Sequence, residues 1–185
     1  GAFTNGWFRT GDQGYTDAEG YVFLSGRIKE IINRGGEKIS PREIDEVLLE
    51  HPAVAQAVAF AVPHATLGED VAAAVVLRQD AHASPGEIRE LAFQRLAAFK
   101  VPSRIAIVDE IPKGPTGKIQ RVGLAARLAR ELTTEFVGPR TEIESLLLDI
   151  WQEILGETHV GMLHNFFAAG GDSLRGTRVM SRVNE

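Results

Sequence analysis

The chain has 185 residues, of which 44% are hydrophobic and 24% are charged, a composition typical of folded globular proteins. The formal net charge of −5 gives no sign of a nucleic-acid partner, and the absence of cysteine excludes disulfides, thiolate metal sites and cysteine nucleophiles. No apolar segment is long enough to cross a bilayer, and none of the five histidines shows metal-ligand spacing. We therefore expect a cytoplasmic chain of one or two domains, with no nucleic-acid or membrane partner and no metal site. Because the first residue is glycine rather than methionine, we also expect the chain to lie within a longer protein.

The first elements of the chain are predicted to be β-hairpins followed by a helix. Residues 1–28 alternate aromatic and polar side chains around glycine-rich turns, and one hairpin turn is expected at residues 17–20. Downstream, Ser40 has the position of a helix N-cap, Pro41 that of the first helical residue, and Glu43 that of a capping-box acid. These signals predict a helix that begins at Pro41.

Strands and helices alternate along the next segment. A second capping box, formed by Ser84 and Glu87, begins another predicted helix. The remaining patterns predict strands over residues 53–62, 71–77 and 104–108 and a short amphipathic helix over 122–132. Together these elements predict a compact α+β domain.

A polar stretch at residues 133–140 is predicted to be a linker to a second, helical unit. Beyond it, Thr141 and Glu144 form a third capping box at the start of a long helix. Apolar residues recur with helical spacing over 143–155, and Gly156 is expected to end the helix. The pattern is typical of a helix that packs in a bundle.

The last predicted helix begins at Ser173, within the sequence "GGDSLRG". Gly-Asp-Ser-Leu also occurs at the active site of one family of serine esterases, in which an Asp-x-x-His pair near the chain end supplies the base. No histidine follows Ser173 and no Asp-x-x-His lies upstream, so the hydrolase interpretation lacks the base that a serine nucleophile needs. The alternative is that a tight turn presents Ser173 as an attachment point.

Four motifs in the first two-thirds of the chain resemble the C-terminal part of the adenylate-forming enzymes. That superfamily contains acyl- and aryl-CoA ligases, luciferases and the adenylation domains of nonribosomal peptide synthetases. The resemblance implies an ATP-dependent acid–thiol ligase, which activates a carboxylic acid as an acyl-adenylate and passes the acyl group to a phosphopantetheine thiol. It also implies ATP, AMP and Mg²⁺ in the intact parent enzyme. The motifs are "FRTGD" (8–12), "GRIKEIINRGGEKISPREID" (26–45), "VPHATLGEDVAAAVVL" (62–77) and "FKVPSRIAIVDEIPKGPTGKIQR" (99–121).

The resemblance implies nucleotide-binding and catalytic roles for three residues. Asp12 matches the residue that binds the ribose hydroxyls, since a carboxylate can accept from both ends of a vicinal diol. Arg27 matches a residue that reinforces the nucleotide contact. Lys118 matches the catalytic lysine of the adenylation pose, in which an ammonium bridges the attacking carboxylate and the α-phosphate. Taken alone, the "GPTGK" stretch that ends at Lys118 lacks the spacing of a P-loop.

The resemblance also implies a hinge and a pantetheine-binding loop. Lys29 matches the hinge about which the small C-terminal domain rotates between two catalytic poses. Gly35 and Gly36 match the loop that enters for thioester formation, where glycine lets the backbone approach a slim ligand. The "GGEKISP" sequence is closer to the CoA-ligase branch than to the amino-acid-activating branch.

Residues 141–185 resemble the start of a peptidyl or acyl carrier domain. The match is the run "VGMLHNFFAAGGDSLRG" (160–176), in which His164 replaces the usual Asp. The resemblance implies an all-α four-helix bundle, of which this segment supplies the first part. It identifies Ser173 as the site at which a phosphopantetheinyl transferase attaches 4′-phosphopantetheine.

The resemblance divides the chain into four parts. Residues 1–28 correspond to the end of the large adenylation domain, 29–132 to the C-terminal subdomain, 133–140 to the linker and 141–185 to the partial carrier. The family's phosphate-binding loop and carboxylate-substrate pocket belong to an N-terminal domain outside this sequence. We therefore expect that domain and downstream modules as partners, and no activity from the isolated chain. A non-catalytic interaction module with unmodified Ser173 is the alternative function.

Overall fold

The computed structural model describes residues 3–114, 117–133, 136–158, 160–167, 169–171 and 173–184. The chain forms two compact units, Gly1–Ala129 and Arg130–Glu185. The first is α+β and the second is helical, which confirms the predicted fold class. Among the described residues, no helix has the length and apolar character needed to cross a membrane.

The first unit begins with two antiparallel hairpins. The first pairs strands β1 (Phe3–Thr4) and β2 (Trp7–Phe8), and the second pairs β3 (Asp12–Thr16) and β4 (Val22–Arg27). The turn predicted at residues 17–20 joins β3 to β4, where the Tyr21 N–H donates to the Asp17 carboxylate at 2.8 Å. A short 3₁₀ turn, Ile28–Glu30, leads out of the second hairpin.

A five-stranded sheet is the centre of the first unit. Strand β8 pairs antiparallel with β7 along one edge, whereas β5 and then β9 pair with its other edge. The short strands β5 and β6 form a hairpin, and β9 is parallel to β8. The five strands are β5 (Ile32–Arg34), β6 (Glu37–Ile39), β7 (Val54–His64), β8 (Gly68–Leu77) and β9 (Arg104–Ile107).

Successive strand residues point to opposite faces of the sheet, and both sets are largely apolar. Helices therefore cover both faces. Helices α1 (Pro41–Leu49) and α2 (Pro85–Arg95) contribute Ile44, Leu48 and Ile88 to a core that includes Val71 and Val75. Strand residues of the other parity, such as Phe60 and Ala74, are also buried, and helix α3 (Leu124–Arg127) contacts β7. Burial of both faces explains why β7 and β8 are nearly continuous apolar runs.

The predicted capping boxes have different outcomes in the three helices. The box of α2 is confirmed: Ser84 Oγ accepts from the Glu87 N–H at 3.2 Å, and the Glu87 carboxylate accepts from the Ser84 N–H at 2.8 Å. The box predicted for α1 is wrong. Ser40 occupies the N-cap position, but its hydroxyl donates to the Ser25 carbonyl, and Glu43 pairs with Lys100 at 2.7 Å. Tertiary partners therefore replace the local ones.

The helix predicted over residues 122–132 is much shorter in the structure. Helix α3 covers Leu124–Arg127, because Gly123 has a left-handed φ of +89° before it and Leu128 leaves the helical conformation after it. The apolar residues of this segment are nevertheless buried: Leu124 and Leu128 are in the interior of the first unit.

The second unit packs helix α4 (Glu142–Leu155) against α5 (Ser173–Val183). Gly156 ends α4 in the left-handed conformation, as predicted. The third capping box is half formed, since Thr141 caps the Glu144 N–H at 3.1 Å while the Glu144 carboxylate accepts from the Arg140 N–H instead.

The buried side of α4 differs from the predicted stripe at its N-terminal end. The core of this unit consists of Leu148, Ile150, Leu155, Val160, Phe166 and Val179, and Trp151 meets Phe166 edge to face at 5.0 Å. Ile143 is 72% exposed and Leu146 is 61% exposed. Packing among the described residues therefore buries only the C-terminal part of the apolar side predicted for α4.

We predict that Ser84→Ala destabilises α2 by about 1 kcal/mol at neutral pH, because it removes the N-cap hydroxyl. The hydrogen bonds from Ser84 lower the pKa of Glu87 below its ordinary 4.5. Stabilisation from this carboxylate is present above pH 4.5 and is lost as the pH falls through the lowered pKa. Ser84→Ala should therefore raise the pKa of Glu87, measured by NMR titration, while native-state hydrogen exchange reports the stability. Ser84→Asn retains a cap and is the control; an unchanged Glu87 pKa in Ser84→Ala would refute this role.

Candidate functional site

The predicted nucleotide-binding residues lie opposite one another in the β3–β4 hairpin. Asp12 and Arg27 are cross-strand partners, and the Arg27 Nε lies 3.0 Å from the Asp12 carboxylate. The Asp12 side chain is partly buried, whereas that of Arg27 is 64% exposed. The guanidinium occupies one side of a carboxylate that has two oxygens and several lone pairs. Asp12 therefore keeps acceptor capacity for a hydroxyl-rich ligand.

The predicted hinge residue follows this pair directly. Lys29 lies in the Ile28–Glu30 turn between β4 and β5 and is exposed to solvent. The Ile28 N–H donates to the Gly11 carbonyl at 2.9 Å, which fixes the start of the turn against the β3–β4 hairpin. The turn is thus the covalent link between that hairpin and the central sheet.

Strands β5 and β6 form what we call the glycine hairpin, with Gly35 and Gly36 as its two-residue turn. Both have positive φ, +58° and +100°, which is the conformation of a tight hairpin turn that favours glycine. A Cβ on Gly35 would lie 3.1 Å from a methyl group of Leu67, whereas a Cβ on Gly36 would meet no atom within 4 Å. Gly36 therefore presents open backbone to a ligand.

Lys118 lies in a second short bridged segment, described at residues 113–114 and 117–119, which we call the lysine hairpin. Lys113 and Ile119 form an antiparallel bridge, and the Gly114 N–H donates to the Lys118 carbonyl at 2.8 Å. The Lys118 side chain is exposed. An ammonium at this position is free to move toward a negatively charged ligand.

A partly buried arginine, which the sequence interpretation missed, follows the lysine hairpin. Arg121 Nη2 lies 2.5 Å and Nη1 3.1 Å from the two oxygens of the Asp45 carboxylate. Its Nη1 also donates to the Ala59 carbonyl at 2.8 Å, and its Nε donates to Glu30 at 3.1 Å. One guanidinium therefore joins helix α1, strand β7 and the Ile28–Glu30 turn, which contains the predicted hinge residue and which we call the hinge turn.

The charge state of Asp45 depends on this arginine. Burial raises the pKa of the Asp45 carboxyl, and the Arg121 guanidinium and the Ala59 N–H oppose that rise. Asp45 lies on the buried side of α1 with Ile44 and Leu48. An acidic residue among the apolar positions of a helix indicates that a cation pairs with it, and this pattern was visible in the sequence. The identity of the cation was not predictable, because Arg121 is 76 residues away.

Of the predicted site residues, Lys29 alone lines an open cleft described in the first unit. Lys29 and Arg121 contribute its basic side chains, and Glu30 and Glu69 its acidic ones. Lys118 and the two glycines are not part of its lining. Among the described residues, no group of three or more His, Asp or Glu side chains could hold a metal ion.

In the second unit, Ser173 is the first residue of α5 and follows a tightly packed turn. Gly170 has a φ of +93°, and the Gly171 N–H donates to the Phe166 carbonyl at 2.8 Å. A Cβ on Gly171 would overlap the Phe166 ring, so only glycine fits between the ring and the helix. The Arg175 guanidinium donates to the Gly170 carbonyl. Asp172 lies outside the described residues, but the backbone on either side delivers Ser173 to a helix start.

The unusual histidine of this region has a local structural role. His164 Nδ1 accepts from the Gly161 N–H at 2.8 Å, and its ring lies against Phe136. The His164 side chain therefore stabilises the turn at residues 161–164 by accepting from a main-chain N–H of the same turn.

Comparison with known protein families gives two matches within the chain. The AMP-binding enzyme C-terminal domain matches residues 43–118, and the phosphopantetheine attachment site matches residues 145–185.

Similar proteins include both CoA ligases and a peptide synthetase. The chain is 51% identical over 133 residues to the probable CoA ligase CCL9 of Humulus lupulus, covering 72% of this chain and 25% of that protein. It is 34% identical over 179 residues to tyrocidine synthase 1 of Brevibacillus parabrevis, covering 96% of this chain and 16% of that protein. The structure of the o-succinylbenzoate CoA synthetase of Bacillus subtilis, in complex with its acyl-adenylate intermediate, matches with a TM-score of 0.61 and 37% identity over 66% of this chain and 25% of that chain. This chain thus spans about a quarter of the length of the CoA ligases that it matches.

We predict that Arg121→Met lowers the free energy of unfolding of the first unit by about 3–5 kcal/mol at neutral pH, because it leaves the buried Asp45 carboxylate without its cation. Loss of the guanidinium raises the pKa of the Asp45 carboxyl further in the folded protein. A carboxyl whose pKa is higher in the folded than in the unfolded state destabilises the fold increasingly as the pH rises. The destabilisation should therefore shrink as the pH approaches 3.8, the ordinary pKa of this carboxyl. Urea unfolding at neutral and mildly acidic pH measures it, with Arg130→Met at an exposed arginine as the control. A pH-independent loss would contradict the role of Asp45.

Proposed function

Residues 43–118 are an AMP-binding enzyme C-terminal domain and residues 145–185 a phosphopantetheine attachment domain, and from this pairing we propose that the chain is the loading end of an ATP-dependent acid–thiol ligase. The observation that carries the proposal is that both domains occur in one polypeptide, in the order in which an activated acyl group is made and then accepted. The similarity to tyrocidine synthase 1 extends over 96% of this chain and so includes both domains.

The proposed reaction needs a large domain in addition to this chain. Because the chain spans about a quarter of the CoA ligases that it matches, we propose that an N-terminal domain supplies the triphosphate site, the Mg²⁺ that accompanies it and most of the carboxylate pocket. The acid is of the kind that CoA ligases activate rather than an amino acid. In support, identity to the CoA ligase is 51%, against 34% to the peptide synthetase.

Asp12 and Arg27 are proposed to hold the nucleoside part of the substrate. The Asp12 carboxylate accepts hydrogen bonds from the two ribose hydroxyls, which replace water on its open side. The Arg27 guanidinium, 3.0 Å away, holds the carboxylate in position. It is also exposed enough to reach the nucleotide itself.

Lys118 is proposed to act in the first half-reaction. Its ammonium stabilises the negative charge that develops as the substrate carboxylate attacks the α-phosphate and pyrophosphate leaves. The exposed position on the lysine hairpin suits a residue that contacts the reacting atoms in one domain pose and is withdrawn in the other. Rotation about Lys29 would supply that change.

The glycine hairpin is proposed to act in the second half-reaction. Open backbone at Gly36 lets a pantetheine chain pass close to the main chain, where a larger side chain would block it. The attacking group is a thiol, which displaces AMP from the acyl-adenylate and leaves the acyl group as a thioester.

Ser173 is proposed to carry 4′-phosphopantetheine. The turn at Gly170–Gly171 supports this assignment, because it leads into α5, whose first residue is Ser173. Unpaired N–H groups at a helix start favour a phosphodiester. When attached, the group supplies the thiol that accepts the acyl chain. A phosphopantetheinyl transferase that uses coenzyme A is the implied partner.

In the full-length ligase, we predict that Lys118→Ala lowers the rate of acyl-adenylate formation by roughly 100–1000-fold and leaves thioester formation from preformed adenylate nearly unchanged. Pyrophosphate exchange measures the first step, and acyl transfer from synthetic adenylate measures the second. Lys113→Ala, on the same hairpin but paired with Glu110, is the matched control. An equal loss in both steps would show that Lys118 acts through the fold instead.

We also predict that incubation with a broad-specificity phosphopantetheinyl transferase and coenzyme A adds one phosphopantetheine mass to the complete carrier region. The gain should disappear in Ser173→Ala and persist in Ser181→Ala, which removes an exposed serine from the same helix. Intact-protein and peptide mass spectrometry report both. Absence of the gain on a carrier whose fold is verified by circular dichroism would refute the assignment.

A further inference from the structure

The glycine hairpin is weakly held to the sheet by its main chain. Strands β7 and β8 pair along their whole length, from Val54 opposite Leu77 to His64 opposite Gly68. In contrast, the described pairing of β5 with β8 consists of Arg34 opposite Gly68. The position of the hairpin must therefore depend on other contacts.

Ile32 and Ile39 pack in the core, and a largely shielded ion pair supplies a polar contact. Arg34, directly before the glycine turn, donates from Nε to the Asp70 carboxylate at 2.7 Å. Asp70 is 2% exposed and Arg34 is 17% exposed, so the pair is largely shielded from water. The same Asp70 oxygen also accepts from the Val71 N–H at 2.8 Å, which fixes the carboxylate to its own strand.

Two main-chain donors of the glycine hairpin complete this attachment. The Asn33 N–H donates to the Glu69 carboxylate at 2.7 Å, and the Gly35 N–H donates to the Leu67 carbonyl at 2.9 Å. All of these acceptors lie at the start of β8 or in the turn before it. We call this set of contacts the Asp70 brace.

The lysine hairpin is attached by a different set of contacts, which we call the Arg121 brace. An isolated bridge closes this hairpin, and Arg127 donates to the Lys113 carbonyl at 3.1 Å. The main anchor is Arg121, three residues after Lys118, which binds Asp45, Glu30 and the Ala59 carbonyl in one arrangement. Its acceptors lie on α1, β7 and the hinge turn rather than on the start of β8.

We propose that these two braces position the two half-reactions separately, with Asp70 a positioning residue for thioester formation and Arg121 a positioning residue for adenylation. The inference rests on the proposed function of the two hairpins. It follows from the geometry because the described contacts of the two braces share no residue: the Asp70 brace binds Asn33, Arg34 and Gly35 within the glycine hairpin, whereas Arg121 follows the lysine hairpin and binds outside the glycine hairpin. A misplacement of about 1 Å can cost on the order of 100-fold in rate, so a displaced hairpin should impair the step that it serves.

The activity test uses Asp70→Asn and Arg121→Lys in the full-length ligase. Asp70→Asn keeps the shape of the side chain but removes the charge that holds Arg34. Arg121→Lys keeps a cation beside Asp45 but cannot span Glu30 and the Ala59 carbonyl at once. We expect Asp70→Asn to slow acyl transfer from preformed adenylate by roughly 10–100-fold with pyrophosphate exchange nearly unchanged, and Arg121→Lys to do the reverse.

Exposed residues of the same chemistry provide matched controls. Asp109→Asn and Arg130→Lys make the same chemical changes at exposed positions and should leave both half-reactions at the wild-type rate. Equal losses in both half-reactions for either brace variant would overturn the proposal, since a general weakening of the fold affects both steps alike.

Hydrogen exchange on the 185-residue chain tests the braces independently of any ligase activity. Asp70→Asn should speed amide exchange in residues 33–37 and leave residues 117–120 unchanged, and Arg121→Lys should give the opposite pattern. If the wild-type ligase forms no acyl-adenylate, the proposed function fails, and this exchange pattern alone decides whether separate braces exist. Faster exchange in both hairpins, or in neither, would contradict them.

Discussion

The guanidinium of Arg121 holds together the parts of the first unit that the proposed chemistry needs. It neutralises Asp45, which is buried on the inner side of α1, and it also binds the hinge turn through Glu30. Without that cation, a carboxylate on the apolar side of a helix would be strongly unfavourable. The same side chain therefore stabilises the core and anchors the segment that carries Lys118, which is the proposed catalytic residue.

The second unit depends on a comparable constraint of a different kind. Phe166 packs against Trp151 and leaves room only for hydrogen at Gly171. Aromatic packing at Gly171, together with the hydrogen bond from Arg175 to the Gly170 carbonyl, therefore defines the turn at these two glycines. In the first unit the candidate residue Lys118 is exposed, while the nearby Arg121 that anchors its segment is only 18% exposed.

Local signals in the sequence predicted the parts of the fold that local interactions determine. The turn at residues 17–20, the capping box of α2 and the end of α4 at Gly156 all depend on contacts between residues that are close together in the sequence. The cap predicted at Ser40 was wrong because its hydroxyl has a partner in β4, a contact that no short-range pattern encodes. The candidate site divides in the same way: its residues were proposed from short motifs and stay predictions, whereas the roles of Asp70 and Arg121 became evident only from contacts 36 and 76 residues apart.

Whether this chain loads its own carrier is tested most directly by mass spectrometry of the Ser173 peptide. The peptide is taken from full-length, phosphopantetheinylated enzyme supplied with ATP and a panel of carboxylic acids. With ATP and free acid, we expect an acyl thioester on that peptide in the wild type. In Lys118→Ala, we expect the same thioester only when preformed acyl-adenylate replaces ATP and acid. An acyl group found elsewhere on the protein, or no thioester from preformed adenylate in a fully modified enzyme, would contradict the view that this chain loads its own carrier.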